Sequence, residues 1–339
     1  MIARIVKFLN RLGFYELILS KLVRNWVIIV VLHRVCDNRH LECNLNYWSH
    51  MKPTNISSLE TILKYVSKYC SLMALEEVIG LFKAKRRIPK CTISITFDDG
   101  YTSQVKYGLP LLLDYNVRAT FYLLFSNIEN RRLFWWDELS YIVHHGNKRG
   151  IKNEMLSINK TKGAFPLSKL IEYMKRLRRS KREHFLKELK CKVGVKIPKH
   201  IVDSIVMKPS DIVFLASKGM FIGGHSLSHP SLPQIPFKEA VEEISYSLVK
   251  AKEYCGKQRI YTFAYPFGES SPNIARAIRR IGFHAALTMT PKANRISENS
   301  IFNLGRFGIM HSELDILTSF KYMATNIYYL KLKLKGFKQ

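Results

Sequence analysis

His225 and His229 stand four residues apart in Gly223-Gly224-His225-Ser226-Leu227-Ser228-His229-Pro230, directly after the apolar run 220–223. That spacing turns both imidazoles the same way if the stretch makes one helical turn. With one carboxylate they would form a two-histidine, one-carboxylate set. Such a set leaves coordination positions open for water and substrate, as a catalytic zinc ion requires, and Fe2+ or Co2+ suits the same ligands. Alone, the HxxxH spacing is a weak signal that equally describes two surface histidines. The carboxylate is offered by Asp98-Asp99-Gly100, at the end of a run that alternates Ile93, Ile95 and Phe97 with Thr92, Ser94 and Thr96. If one of the pair binds a cation, the cation holds down the pKa of the other. That second group can then take a proton from a water the cation acidifies. The chemistry implied is hydrolysis of an amide or ester. Taken by itself, Asp-Asp-Gly reads as a turn whose side chains cap backbone amides.

Positioning these residues is the work of short β-rich runs, at 26–32, 91–97, 118–125, 220–223, 261–264, 285–289 and 301–309, each followed by a helical pattern. Strands alternating with helices imply parallel pairing through βαβ crossovers. Buried carboxylates are rare unless paired or ligating, so two of them at the carboxyl end of a strand point to a site. Residues 137–205 read as a helical insertion between strands. Leu170, Ile171, Met174 and Leu177 form its apolar stripe, and Lys175, Arg176, Arg178, Arg179, Lys181 and Arg182 form a basic cluster. A solvated face is the plain reading of that cluster; contact with an acidic glycan or phospholipid is the other.

The chain has 339 residues, 54 Lys+Arg against 26 Asp+Glu and a formal net charge of +28, with 47% hydrophobic residues. This is a globular composition, far from disordered or collagenous chains. Six cysteines without a CxxC pair exclude a thiolate knuckle and read as reduced, mostly buried thiols. Residues 1–25 form a basic amphipathic helix, with Ile2, Ile5, Val6, Leu9 and Leu12 at helical spacing among Arg4, Lys7 and Arg11. The tail, 321–339, alternates apolar and cationic positions. Both ends suit an anionic membrane surface; the alternative is a helix docked on the domain and a solvated tail. Neither a secretory signal nor a spanning segment is expected, which places the protein in the cytoplasm, peripheral on the inner membrane face. Nucleic acid is not expected, because no nucleic-acid module is recognisable.

Three motifs in order carry a family resemblance. Ile95-Thr96-Phe97-Asp98-Asp99-Gly100-Tyr101, followed by Leu109-Pro110-Leu111-Leu112 and Arg118-Ala119-Thr120-Phe121-Tyr122, resembles the first motif and second strand of polysaccharide deacetylases, the NodB-homology or carbohydrate esterase 4 family. His225-Ser226-Leu227-Ser228-His229-Pro230 resembles the second motif, HSxxHP. Phe263-Ala264-Tyr265-Pro266-Phe267-Gly268 resembles the third, in the form of the exopolysaccharide N-deacetylase branch. The resemblance covers roughly residues 88–310 and implies a distorted (β/α)7 barrel spanning residues 26–320. It matches Asp98 to the catalytic base and Asp99, His225 and His229 to the ligands of a divalent metal, usually zinc, with Co2+, Ni2+ or Fe2+ as substitutes. Tyr265, Pro266 and Phe267 match the wall of the substrate groove, which Gly268 ends. The amide after the proline matches an oxyanion donor, typically worth about 3 kcal/mol of barrier. His33 resembles a histidine at the end of the first strand in the exopolysaccharide branch and either borders the metal or is a capped core residue.

The chain departs from the family pattern in two places. The region 285–290 lacks the Leu-x-His histidine that acts as general acid, and His284 and His311 do not match its spacing. The arginine common before the third motif's proline is replaced by Phe263 and Ala264. Arg306 is the candidate for the missing charge beside Asp98; with Gly305 it equally fits a strand-end turn. The expected function is removal of N-acetyl groups from amino sugars of a polysaccharide or lipid-linked saccharide. The rivals are an O-acetyl esterase and a catalytically weak carbohydrate- or membrane-binding barrel.

Overall fold

A computed structural model of the chain describes residues 2–15, 17, 26–37, 53–147, 167–309 and 316–324. Its centre is a curled parallel sheet. β1 (Trp26–Leu32) is an unbroken Val/Ile/Leu-rich run, the composition of a parallel strand covered on both faces. β2 (Thr92–Asp99), β3 (Thr120–Leu123), β4 (Phe221–Gly224), β5 (Thr262–Ala264) and β6 (Ala285–Leu287) follow in space in their chain order, each parallel to its predecessor. β7 (Phe307–Gly308) pairs with Val30 and Val31 of β1, while Leu304, just upstream, bridges Leu287 of β6. Residues 304–308 are thus a seam joining the last strand to the first, and the architecture is the α/β barrel that the motifs imply. The strand expected over 301–309 shrinks to β7, because Ile301 and Leu304 exchange backbone hydrogen bonds with β6 only as an isolated bridge across a turn.

The alternation in β2 sorts two environments. Ile93, Ile95 and Phe97 pack into the main core outside the sheet. Thr92 and Ser94 lie in register with Val27 and Ile29, which belong to a separate cluster inside the barrel. Gly223 is required by close approach: a Cβ there would stand 2.4 Å from the Tyr122 ring, which lies across the interior.

The helices supply the cover and one plug. α1 (Ile2–Arg11) carries the basic amphipathic pattern. α2 (Ile56–Tyr69), N-capped by Asn55, buries Leu59, Ile62, Leu63 and Val66 at helical spacing. α3 (Leu75–Lys83) sends Leu75, Val78 and Ile79 into the interior cluster and closes the amino end of the barrel. Its Glu76 is buried there and accepts hydrogen bonds from Thr120 and Thr262 at 2.6 and 2.7 Å. Burial pushes the Glu76 carboxyl above its ordinary value, despite those two bonds. Between β3 and β4 the chain runs through α4 (Trp135–His145), α5 (Leu167–Met174), α6 (Arg179–Val193), α7 (Lys199–Ile205) and α8 (Pro209–Ser217). α9 (Phe237–Tyr254) packs on β4, and α10 (Ile316–Ala324) packs on α1 and α2. The basic cluster is divided: Arg176, Arg178 and Lys181 are exposed, whereas Lys175 and Arg182 turn inward.

The expectation of six reduced, mostly buried thiols is corrected. Cys70 and Cys91 form a disulfide, because the pairing of Ser71 with Thr92 sets the preceding residues side by side, Cα to Cα 4.7 Å. Cys36 is buried, Cys255 half-buried and Cys191 exposed; Cys43 lies outside the described residues. The basic tail from 325 onward, His311 and residues 18–25 of the N-terminal helix also lie outside them.

Candidate active site

Asp98 and Asp99 end β2 opposite Tyr122 and Leu123 of β3. Side chains alternate along a strand, so regular continuation would turn Asp99 away from Asp98. A φ of +77° at Asp99 breaks that alternation and brings both carboxylates to one cavity. His225 directly follows β4, so the two ligand-bearing strands deliver their side chains at the same, carboxyl end of the barrel. The stretch 225–229 is not the helical turn that would align the imidazoles. Ser226 and His229 have φ of +69° and +56°, and the chain folds back in a compact bend.

The bend nevertheless converges three donors. His225 Nε2 is 3.4 Å and His229 Nε2 3.9 Å from Asp99 Oδ1, and one donor atom from each residue lies within 4.8 Å of the others. His225 Nδ1 meets the Ala264 carbonyl at 2.8 Å, which fixes the proton on Nδ1 and leaves the Nε2 lone pair facing Asp99. Both Asp99 oxygens and His225 Nε2 are buried without a hydrogen-bond partner. Orphaned acceptors that face one another are a donor set for a cation, and two imidazoles with a carboxylate suit a zinc-class ion. Burial disfavours the charged form of His225, but Asp98 and Asp99 outweigh it and raise its pKa. The negative field that favours a proton there also favours a divalent cation. His229 is held well below its ordinary value, by burial first and then by His225 and Arg182.

Asp98 faces a different partner. Arg306, on the seam, donates from both terminal nitrogens to Oδ1 and Oδ2 at 2.6 and 2.7 Å, with both side chains buried. Arg306 Nε donates to the Thr288 carbonyl. Burial works to raise the Asp98 carboxyl; the Arg306 charge, with help from His225 and His33, overrides it and leaves the pKa lowered. His33, at the end of β1, holds Nε2 3.9 Å from Asp98 Oδ2 and is partly exposed. Gln104 ties the His33 and Asp98 carbonyls together.

The third motif divides. Tyr265 is fully buried, its hydroxyl donated to the Phe302 carbonyl, so its side chain belongs to the core and not to a groove wall. Pro266 is buried too. Phe267 turns toward the site, its ring 4.5 Å from the His229 ring, with φ of +58°. Gly268 has φ of +71°, and a Cβ there would stand 2.4 Å from the Met289 nitrogen. Trp136 closes the other side of His229 at 4.6 Å.

Behind these residues lies a supporting layer. Glu243 of α9 accepts from the Leu227 and Ser228 amides at 2.8 and 2.7 Å and from the Ser228 hydroxyl. Arg182 donates to the Ser228 carbonyl and hydroxyl. Trp135 Nε1 donates to the His229 carbonyl. Asp137 pairs with Arg34 at 2.7 Å; burial pushes its carboxyl up to about 6, against the Arg34 charge.

A polysaccharide deacetylase family model matches residues 85–153 and 181–286, just over half of the chain. The chain belongs to the polysaccharide deacetylase family. YxkH of Bacillus subtilis (strain 168), named for the same family, is 25% identical over 119 residues, 35% of this chain; the match spans 39% of that protein's length. Three solved structures share the fold of this family member. The Streptococcus pyogenes deacetylase PplD in complex with acetate covers 88% of this chain and 98% of its own at 12% identity and a TM-score of 0.58. A de-N-acetylase from Aggregatibacter actinomycetemcomitans covers 87% and 99% at 14% identity, TM-score 0.56. IcaB from Ammonifex degensii covers 87% and 97% at 14% identity, TM-score 0.54.

Sequence reasoning did not single out Glu243, Asp137 or the inward role of Arg182. Asp137 had a signal, a carboxylate beside Trp135-Trp136 at the head of a basic segment; Glu243 had none. His284 lies before β6 and accepts from the Tyr261 amide, at the barrel end opposite the site. In this polysaccharide deacetylase family member, Glu243→Gln removes charge-assisted bonds from the loop that carries His229. About tenfold weaker ion affinity is expected, read by competition with a chelator.

Proposed function

We propose that the protein is a divalent-cation-dependent hydrolase that removes acetyl groups from N-acetylated amino sugars of a polysaccharide or lipid-linked saccharide. The observation that carries this reading is a carboxylate held ionised by a buried arginine beside three converging ligand side chains. A zinc-class cation held by Asp99, His225 and His229 would supply Lewis acidity toward an acetyl carbonyl and its attacking water. Asp98 accepts the water's proton, and Arg306 returns the carboxylate to its ionised form between turnovers. The amide of Phe267 is the donor to the developing oxyanion. His33, next to Asp98 and outside the ligand set, protonates the departing amine.

The test is acetate release from an N-acetylglucosamine oligomer with and without chelator. Release that stops on chelation and returns with zinc supports the reading. Hydrolysis of sugar acetyl esters with the amide untouched would replace it by an O-acetyl esterase.

We also assign a membrane-facing role, at the inner surface, to α1. Val6 and Tyr15 are buried, with Tyr15 against Tyr322, and Asn10 donates to Thr318 of α10, so one face is already docked. Ile5, Phe8 and Leu12 form a second stripe that is 51–64% exposed, flanked by exposed Arg4, Lys7 and Arg11. Three cations at an anionic surface contribute about 3 kcal/mol. No helix among the described residues is long and apolar enough to cross a membrane. Flotation with anionic vesicles is expected for the wild type and lost in a Phe8→Ser/Leu12→Ser variant.

A further inference from the structure

A cavity of about 650 Å3 opens between α4, α6 and the loop after β3, on the outer side of the loop that carries the two histidines. Six cations line it: Arg131, Arg132, Arg179, Arg182, Lys187 and Lys190. The carboxylates in its wall are Glu138 and Glu183, and both are engaged, with Lys190 and Arg179 respectively. Arg131 is held by Asp203 and by the carbonyls of Val206 and Met207. Three cations are left over. Arg132 and Lys187 are exposed, with no side-chain partner among the described residues. Arg182 is only 2% exposed and gives one nitrogen to Ser228, while Nη1 is buried without a partner. Among the described residues no carboxylate lies within 4 Å of its guanidinium.

Glu243 and Glu183 act on the Arg182 guanidinium only through space and the Trp135 ring lies under it, so burial outweighs them and the charge is under-compensated, which is costly. Burial depresses the Arg182 pKa to about 10, the same cost seen as a proton affinity. An oxyanion in the cavity relieves it. A phosphate group fits better than a carboxylate, because its non-bridging oxygens can engage guanidinium and ammonium groups together. The volume exceeds the needs of a bare ion and lies in the range of pockets for small organic ligands. Trp135 and Ser228 are shared between the cavity wall and the support of His229, so the cavity backs onto the loop that carries that histidine.

We propose that this cavity binds a phosphate group carried by the saccharide substrate, with Arg182 at its base and Arg132 and Lys187 at its mouth. The substrate class is then a phosphorylated, N-acetylated saccharide, an inference that rests on the hydrolase reading above.

The test is calorimetric binding of N-acetylglucosamine 1-phosphate, N-acetylglucosamine and inorganic phosphate to the full chain with its ion, in wild type and in an Arg132→Ser/Lys187→Ser variant. Both positions are on the surface, and an unchanged melting temperature confirms folding. The sugar phosphate is expected to bind wild type at least about tenfold more tightly than either fragment, and the variant to lose about tenfold in affinity for it. Equal affinity in the two proteins overturns the proposal, since the phosphate is then bound elsewhere. Inorganic phosphate binding as tightly as the sugar phosphate overturns the saccharide assignment. Wild type that binds as expected but releases no acetate keeps the anion site and overturns the hydrolase reading instead.

Discussion

Asp98→Asn is expected to bind its divalent ion as wild type does and to release acetate about a thousandfold more slowly, the usual range for a lost general base. The asymmetry follows from the division of labour at the end of β2. Asp99 converges with both His225 and His229 and its oxygens are unpartnered, whereas Asp98, although its Oδ2 is 3.9 Å from His225 Nε2, has both oxygens taken by Arg306. Asparagine keeps the shape and one acceptor for Arg306, so the fold survives; it loses the basicity. Bound ion is read by elemental analysis and turnover by acetate release. Unchanged turnover would remove Asp98 from its proposed role, and lost ion would mean that Asp98 is itself a ligand.

Replacing Arg306 by Met is expected to damage stability and activity together. The pair is buried, with Arg306 1% and Asp98 2% exposed, so truncation leaves an uncompensated carboxylate at a cost of about 3–5 kcal/mol. The pH dependence should change sign. In wild type the Asp98 pKa is lowered, so its stabilisation is present above the unfolded value and lost as pH falls through the folded one. Without Arg306, burial prevails and raises the pKa, so stability falls as pH rises through the mildly acidic range. The acid limb of the rate profile moves upward with it. Urea unfolding and acetate release across that range measure both. Arg306→Lys restores a charge but not the two-pronged contact, and should fall between.

How much of this was legible in the sequence depends on how far each contact reaches. β2 is local information: alternating apolar and hydroxyl residues ending in two acids describe a strand with a site at its end, although both of its faces are buried. The HSxxHP and third-motif residues were likewise legible as segments. What the pattern did not contain was conformation at single residues, such as the left-handed Asp99, Ser226 and His229 that converge the donors without a helix. Nor did it separate Tyr265 from Phe267, because an aromatic residue reads the same whether it lines a core or a groove. Partners far apart in the chain were the hardest. Glu243 holds the Ser228 loop from another helix, and Cys70 reaches Cys91 only once Ser71 pairs with Thr92. Arg306 was reached by elimination, through the absence of an arginine elsewhere.

The seam at 304–308 carries one more consequence. Arg306 and Asp98 are 208 positions apart, and Arg306 sits on the seam, the last piece of sheet in chain order among the described residues. A nascent chain emerging from the ribosome can assemble β1 to β6 with its acidic pair and both imidazoles before the arginine has left the exit tunnel. Until then Asp98 lacks its main counter-charge, and burial, opposed only by the two nearby imidazoles, works toward its protonated state. On the proposed reading, the ion pair that keeps the base ionised is therefore completed only when the seam closes.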